Sequence, residues 1–287
     1  MATDPTATDK SIDVNGLRLH YRDWGGDTSS ATRVPAIAFH GFALNAHSFD
    51  EVAPRLNDLL HVHAFDQRGH GDSEWAKEVA DYTRDNMVSD IEEAVATLGL
   101  ERPVVIGHSM GGMNAMTFAG RHPDQVRALI LIDVGPEVSV DGAKEVQQFV
   151  AGPYEMDSLD EWVEHTHKYY PYRSKERIRA RLAVSLRETP EGKMAKQYDQ
   201  RFREQGFGGV ARAKDDIWDV AKAVACPTLL LHGEKSPVLK REQAEKFAAA
   251  NSHVELVTIP EAGHSVAGDQ PDAFVAEARR FLNSALT

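Results

Sequence analysis

Cysteine is nearly absent. Cys226 stands alone among 287 residues, which excludes a disulfide framework and a cysteine-built zinc site. Positive charge is also scarce: 32 Lys and Arg face 44 Asp and Glu, for a net charge of −12. An acidic globule of this kind is not expected to bind nucleic acid or an anionic membrane. Long hydrophobic runs are missing too. Stretches such as Ala128–Ile132 and Thr228–Leu231 fall far short of the roughly 20 residues a membrane helix needs. Met1–Lys10 is polar and has no apolar stretch, so it reads as a flexible tail rather than a signal peptide. The expectation is a soluble, cytoplasmic α/β protein. At 287 residues, 42% of them apolar, the chain is long enough to bury about three quarters of its unfolded surface.

Ser11–Val14, Asn15-Gly16 and Leu17–Trp24 read as a hairpin, because Asn-Gly suits a two-residue turn with positive φ. Short apolar runs of buried-strand character follow at Ala36–Phe39, His61–Phe65, Val104–Ile106, Leu129–Ile132, Thr228–Leu231 and Val254–Ile259. Helical spacing marks Ser48–Leu60, Thr83–Leu98, Met110–Arg121, Lys240–Ala250 and Pro271–Leu282. Such alternation predicts a mostly parallel sheet covered by helices on both faces. Catalytic groups then belong in loops at the carboxyl ends of the strands. Residues 137–214 interrupt the rhythm and read as helical throughout. They form an expected helical cap between two halves of a core at 11–136 and 215–287.

The strongest chemical signal is Gly107-His108-Ser109-Met110-Gly111, between a predicted strand and a predicted helix. A G-x-S-x-G turn there is a nucleophile elbow. The glycines two positions either side make room for a strained backbone, and the hydroxyl sits at a helix N-terminus that favours a developing anion. His40-Gly41-Phe42 follows the strand Ala36–Phe39, and Asp66-Gln67-Arg68-Gly69-His70-Gly71-Asp72-Ser73 follows His61–Phe65. His232-Gly233-Glu234 and Ala262-Gly263-His264 close the two late strands.

Together these motifs resemble the α/β-hydrolase superfamily over nearly the whole chain from about residue 12. The resemblance implies a cofactor-free and metal-free serine hydrolase acting on a small molecule. Ser109 is then the nucleophile, and the backbone N–H groups of Phe42 and Met110 form the oxyanion hole. His264 is the preferred base, on a loop after the last strand with Gly263 leaving room around it. His40 and Gly41 become candidates for the substrate-facing loop. His61 and His63 share one strand face, but no further ligands in sequence support a metal site.

The acid departs from the common pattern. In His232-Gly233-Glu234-Lys235-Ser236, the usual aspartate position holds Ser236, and a hydroxyl cannot stabilise an imidazolium as a carboxylate does. Asp133, ending the strand after the nucleophile's strand, is preferred over Glu234. Strands lie about 4.8 Å apart, so its carboxylate can reach the same histidine. An acid placed there is similar to that of the 2-(acetamidomethylene)succinate hydrolases and of some lactone-cleaving members. The expected chemistry is hydrolysis of a small ester, lactone or amide. C–C bond hydrolysis of vinylogous diketones and a non-catalytic receptor on the same fold remain the alternatives.

The cap carries a charge asymmetry. Residues 173–214 hold twelve bases and five acids. Arg173, Arg177 and Arg181 fall four apart and form a helical stripe. It either faces solvent, as most such stripes do, or roofs the site, where Arg177 and Arg181 would attract an anionic substrate.

Overall fold

The computed structural model describes residues 6–25, 33–170, 173–203 and 214–287. β1 (Thr8–Val14) and β2 (Leu17–Asp23) pair antiparallel from Thr8↔Asp23 to Val14↔Leu17. Asn15 (φ 49°) and Gly16 (φ 75°) supply the turn's two positive φ values. β1 begins three residues inside the segment expected as a tail. Lys10 Nζ lies 2.5 Å from Asp23 Oδ2 across the pair, a tie that the polar sequence of β1 conceals.

The main-sheet strands that follow are β3 (Val34–Phe39), β4 (Leu60–Phe65), β5 (Val104–His108) and β6 (Ala128–Ile132). The insertion adds β7 (Glu155–Met156), β8 (Leu186–Glu188) and β9 (Met194–Lys196), before β10 (Thr228–Gly233) and β11 (Val254–Ile259) complete the main sheet. Its order is β1-β2-β4-β3-β5-β6-β10-β11. β1, β2 and β4 pair antiparallel, and every other neighbour pair is parallel.

Alternation along each strand feeds two cores. Ile37, Phe39, Val105, Leu129 and Leu131 face one side, against α1 (Arg84–Thr97) and α2 (Met110–Arg121). Ala36, Ala38, Val104, Ile106 and Ile130 face the other, where Phe274, Phe281 and Leu282 of the C-terminal helix pack. α1 starts where Thr83 Oγ1 accepts the Asn86 N–H at 3.2 Å, an N-cap that satisfies one orphan donor.

Two further expectations need correction. Where a helix is expected over Ser48–Leu60, the chain forms two 3-10 turns, Ala46–Phe49 and Pro54–Leu56. Pro54 lacks an N–H and its ring would collide with the carbonyl one turn back, so it can only begin a new turn. The insertion is not helical throughout. It holds α3 (Val140–Ala151), α4 (Leu159–Tyr169) and α5 (Lys175–Ala183), together with a three-stranded antiparallel sheet ordered β7-β9-β8.

The insertion docks by backbone bonds as well as by packing. Gly71 N–H donates to Gln197 O at 2.7 Å, and Asp199 N–H donates to Gly69 O at 2.8 Å. Tyr82, Met87, Met110, Tyr198 and Phe202 form a small core at this seam, with Phe42 against it. Part of the aromatic content of the insertion is therefore core. After it come α6 (Ile217–Ala223), α7 (Arg241–Ala250), the short α8 (Val266–Asp269) and α9 (Pro271–Ala285).

Candidate active site

Ser109 sits between β5 and α2 with φ 50° and ψ −115°, outside the regions that L residues favour. Strain of this kind costs about 1–3 kcal/mol and persists only where packing fixes it. Here packing does. A Cβ on Gly107 would lie 2.5 Å from Gly112 Cα, and one on Gly111 would lie 2.4 Å from Phe39 O. Met110 is the first residue of α2, so its N–H has no intrahelical acceptor.

The neighbouring loop presses close. A Cβ on Gly41 would meet His108 Nδ1 at 2.7 Å and Ser109 Cβ at 3.2 Å, so only glycine lets this loop approach the serine. His40 is wholly buried. Its Nδ1 donates to Gly41 O at 2.8 Å, and its Nε2 accepts from Gln67 N–H at 3.0 Å. Burial lowers its pKa. Both ring nitrogens are engaged, so this side chain shapes the loop. The ring of Phe42 packs on His70, Tyr198 and Phe202, with centroids 5.1–5.6 Å away.

His264 and Asp133 come together from distant parts of the chain. Nδ1 of His264 lies 2.7 Å from Asp133 Oδ2, which leaves Nε2 on the opposite side of the ring. Asp133 is 0% exposed. Its Oδ1 accepts Gly233 N–H at 2.9 Å, and its Oδ2 also accepts from Ser236 Oγ. Asp133 has φ 50°, so the chain turns out of the sheet there as it does at Ser109. Glu234 is exposed, and its carboxylate accepts Glu261 N–H at 3.0 Å.

Two residues have roles that sequence reasoning did not foresee. Ser236 occupies the usual aspartate position and supports the carboxylate that bonds His264. Its Oγ also accepts from Val238 N–H at 3.1 Å. His108, next to the nucleophile in sequence, donates from Nε2 to His264 O at 2.9 Å, with the two rings 4.8 Å apart. Burial, then the nearby His264 and Arg181, hold its pKa well below the ordinary value. A neutral donor at this place fixes the loop that carries His264.

The family model for the alpha/beta hydrolase fold matches residues 35–271. The chain belongs to the α/β-hydrolase family. This hydrolase is 27% identical over 279 residues to the 3-hydroxybutyrate-oligomer hydrolase of Cupriavidus necator, covering 93% of this chain and 94% of that one. It is 25% identical to the 2-(acetamidomethylene)succinate hydrolase of Mesorhizobium japonicum, covering 96% and 95%. Among solved structures, an alpha/beta hydrolase from Novosphingobium aromaticivorans superposes with a TM-score of 0.85 at 31% identity, covering 97% and 98%.

The D-x-R-G loop of the hydrolase is held as its charges suggest. Arg68 binds both oxygens of Asp90 at 2.6 Å. Asp66 accepts Ala46 N–H at 2.6 Å, Asp72 N–H at 3.0 Å and His20 Nδ1 at 2.8 Å. Among the described residues, two clusters could hold a metal by spacing: Asp23, His61 and His63, and His20, Asp66 and Asp72. In the first, Asp23 already takes Lys10, His61 Nε2 at 2.6 Å and Gly25 N–H at 2.7 Å. In the second, the bonds to Asp66 are those just given. Both carboxylates serve as polar ties between the antiparallel edge and its loops. No described helix is long and apolar enough to cross a membrane.

The arginines of the cap part company. Arg173 precedes Ser174, the N-cap of α5, so it lies ahead of the helical stripe. Its Nε binds Asp269 at 2.6 Å. Arg177 is 47% exposed and binds Glu51 at 3.0 Å. Arg181 turns toward the His264 loop, with Nη2 3.3 Å from Ser265 Oγ. Residues 204–213 of the basic segment lie outside the described residues.

Proposed function

We propose that this hydrolase cleaves a small carboxylic ester, lactone or amide through an acyl-enzyme on Ser109. The observation that carries the reading is the 2.7 Å bond between His264 Nδ1 and a buried carboxylate, in a chain whose serine occupies a strained elbow. Asp133 holds the ring with its proton on Nδ1, so Nε2 is the basic nitrogen. Ser109 Oγ attacks the carbonyl carbon as its proton passes to His264 Nε2. The carbonyl electrons move to oxygen, and the N–H groups of Phe42 and Met110 stabilise that anion. Each such donor is typically worth about 10²–10³ in rate. When the tetrahedral species collapses, the bond to the leaving group breaks and the leaving group takes the proton from Nε2. Water then attacks the acyl carbon while His264 accepts its proton, and Ser109 departs with that proton restored.

The substrates named for the two relatives above, a hydroxybutyrate oligomer and an acetamidomethylene succinate, fit ester and amide cleavage. The test is labelling with a fluorophosphonate, read by intact mass. Stoichiometric modification of the wild type, none of Ser109→Ala and loss of ester turnover in that variant are expected. An unlabelled but folded wild-type protein, or substantial turnover by Ser109→Ala, would overturn the reading.

A further inference from the structure

α5 carries two arginines one turn apart with opposite fates. The guanidinium of Arg177 is committed, donating to Glu51 Oε2 at 3.0 Å and to Gly268 O at 2.9 Å. Arg181 is half-buried, and among the described residues no carboxylate pairs with it. Its single hydrogen bond there is the 3.3 Å contact to the Ser265 hydroxyl. A guanidinium offers five donors, and a charge withdrawn from water without a counter-ion is costly. Burial pushes the Arg181 guanidinium down to about 10.

The nearby carboxylates are already occupied. Asp269 uses Oδ1 for Arg173 at 2.6 Å and Oδ2 for Gly263 N–H at 3.0 Å. Glu51 holds Arg177. The glycine of α8 supplies the room: a Cβ on Gly268 would stand 2.8 Å from Arg181 Nη1. A planar cation that no carboxylate pairs with among the described residues therefore lies against the residue that follows His264.

We propose that Arg181 is the recognition site for a carboxylate of the substrate, so that the favoured substrates are anionic esters or amides such as half-esters of short dicarboxylic acids. A guanidinium binds a carboxylate through two parallel N–H···O bonds, which would supply the missing counter-charge and orient the scissile carbonyl. The inference rests on the hydrolase reading above, since it assigns the group next to His264.

The test compares 4-nitrophenyl hydrogen succinate with its neutral methyl ester. The wild type should favour the anion by about 10–100-fold in kcat/KM, the range of a charge-assisted bond, mostly through KM. In Arg181→Gln this ratio should fall toward one, and Arg181→Lys should keep part of it. Arg179→Gln removes an equal charge from the exposed side of the same helix, where the residue pairs with Asp160, and should keep the ratio. Should Arg181→Gln misfold, succinate should still protect the wild type from fluorophosphonate competitively while dimethyl succinate does not. Calorimetric titration with succinate reads binding without catalysis. Equal or better turnover of the neutral ester, an unchanged ratio in Arg181→Gln, or no binding and no protection by succinate would each overturn the proposal. Labelling of Ser109 without anion preference would leave the hydrolase reading standing and remove only this one. Arg181-dependent succinate binding by an unlabelled protein would do the reverse.

Discussion

Replacing Asp133 by asparagine changes one atom in a buried site, and its consequences follow from the bonds. Oδ1 accepts Gly233 N–H at 2.9 Å, and an amide oxygen can keep that bond. Oδ2 accepts from both His264 Nδ1 at 2.7 Å and Ser236 Oγ. An NH₂ group in its place would confront two donors. The histidine's way out is to move its proton to Nε2 and accept the amide N–H at Nδ1. That tautomer cannot take a proton from Ser109. The expected loss in kcat is about 10⁴, or about 5.5 kcal/mol at 1.36 kcal/mol per decade. Loss of a charge-assisted bond should also lower stability by about 1.5–3 kcal/mol. Steady-state ester hydrolysis and the rate of fluorophosphonate labelling measure the first effect, and urea unfolding the second. Glu234→Gln should change kcat by less than about threefold, because an exposed carboxylate away from the pair is replaced. A tenfold or smaller loss in folded Asp133→Asn, or a larger one in Glu234→Gln, would refute the assignment of the acid.

Two further outcomes test the frame around the site. Gly71 has φ 55°, and a Cβ there would fall 2.2 Å from the Asp66 carboxylate, so Gly71→Ala should cost about 3 kcal/mol or more in urea unfolding. His70 is buried and its pKa is pushed down to about 3 by that burial and then by His40. The unfolded chain, with an ordinary histidine near 6.5, binds the proton first. The penalty is absent above neutrality, grows as pH falls from about 6.5 to about 3, and reaches about 5 kcal/mol. Unfolding free energies measured across that window should show a shallower acid slope in His70→Asn.

What the sequence made legible follows from the strength of each local signal. Strands buried on both faces appear as apolar runs, so β3, β5, β6 and β10 were found within a residue or two of their ends. The elbow was readable because strain at Ser109 demands glycine on both sides. The cap sheet was not, because strands of two and three residues are too short to display alternation. At 48–60 the apolar spacing outweighed Pro54, which should have ended the helix. Arg177 and Arg181 share a stripe in sequence. Which of them meets an acid depends on Glu51, Asp269 and Ser265, all remote in the chain. His108 lies next to the nucleophile, but its bond to His264 O depends on a loop 156 residues later.

Ser236 gives the acid assignment its sharpest test. With Asp133 on β6, a carboxylate at 236 would place a second negative charge against Oδ2, where Ser236 Oγ now donates. Two carboxylates in that space cannot both ionise at little cost, and one must retain a proton. Serine at 236 is thus the residue compatible with an acid at 133, and its hydroxyl donates to the oxygen that His264 shares. Ser236→Asp alone should therefore reduce kcat and make activity depend on the protonation of the new pair. In Asp133→Asn the logic inverts, because the asparagine amide can donate to a carboxylate at 236. That carboxylate also follows β10, the strand beside β6, within reach of the same imidazole. The double variant should regain about 10–100-fold of the lost rate, since a displaced carboxylate restores the tautomer without the original geometry. Activity and fluorophosphonate labelling rates across the four proteins complete the cycle. If the double variant is no faster than Asp133→Asn, position 236 cannot reach the histidine. If Ser236→Asp alone matches the wild type, the crowding argument fails.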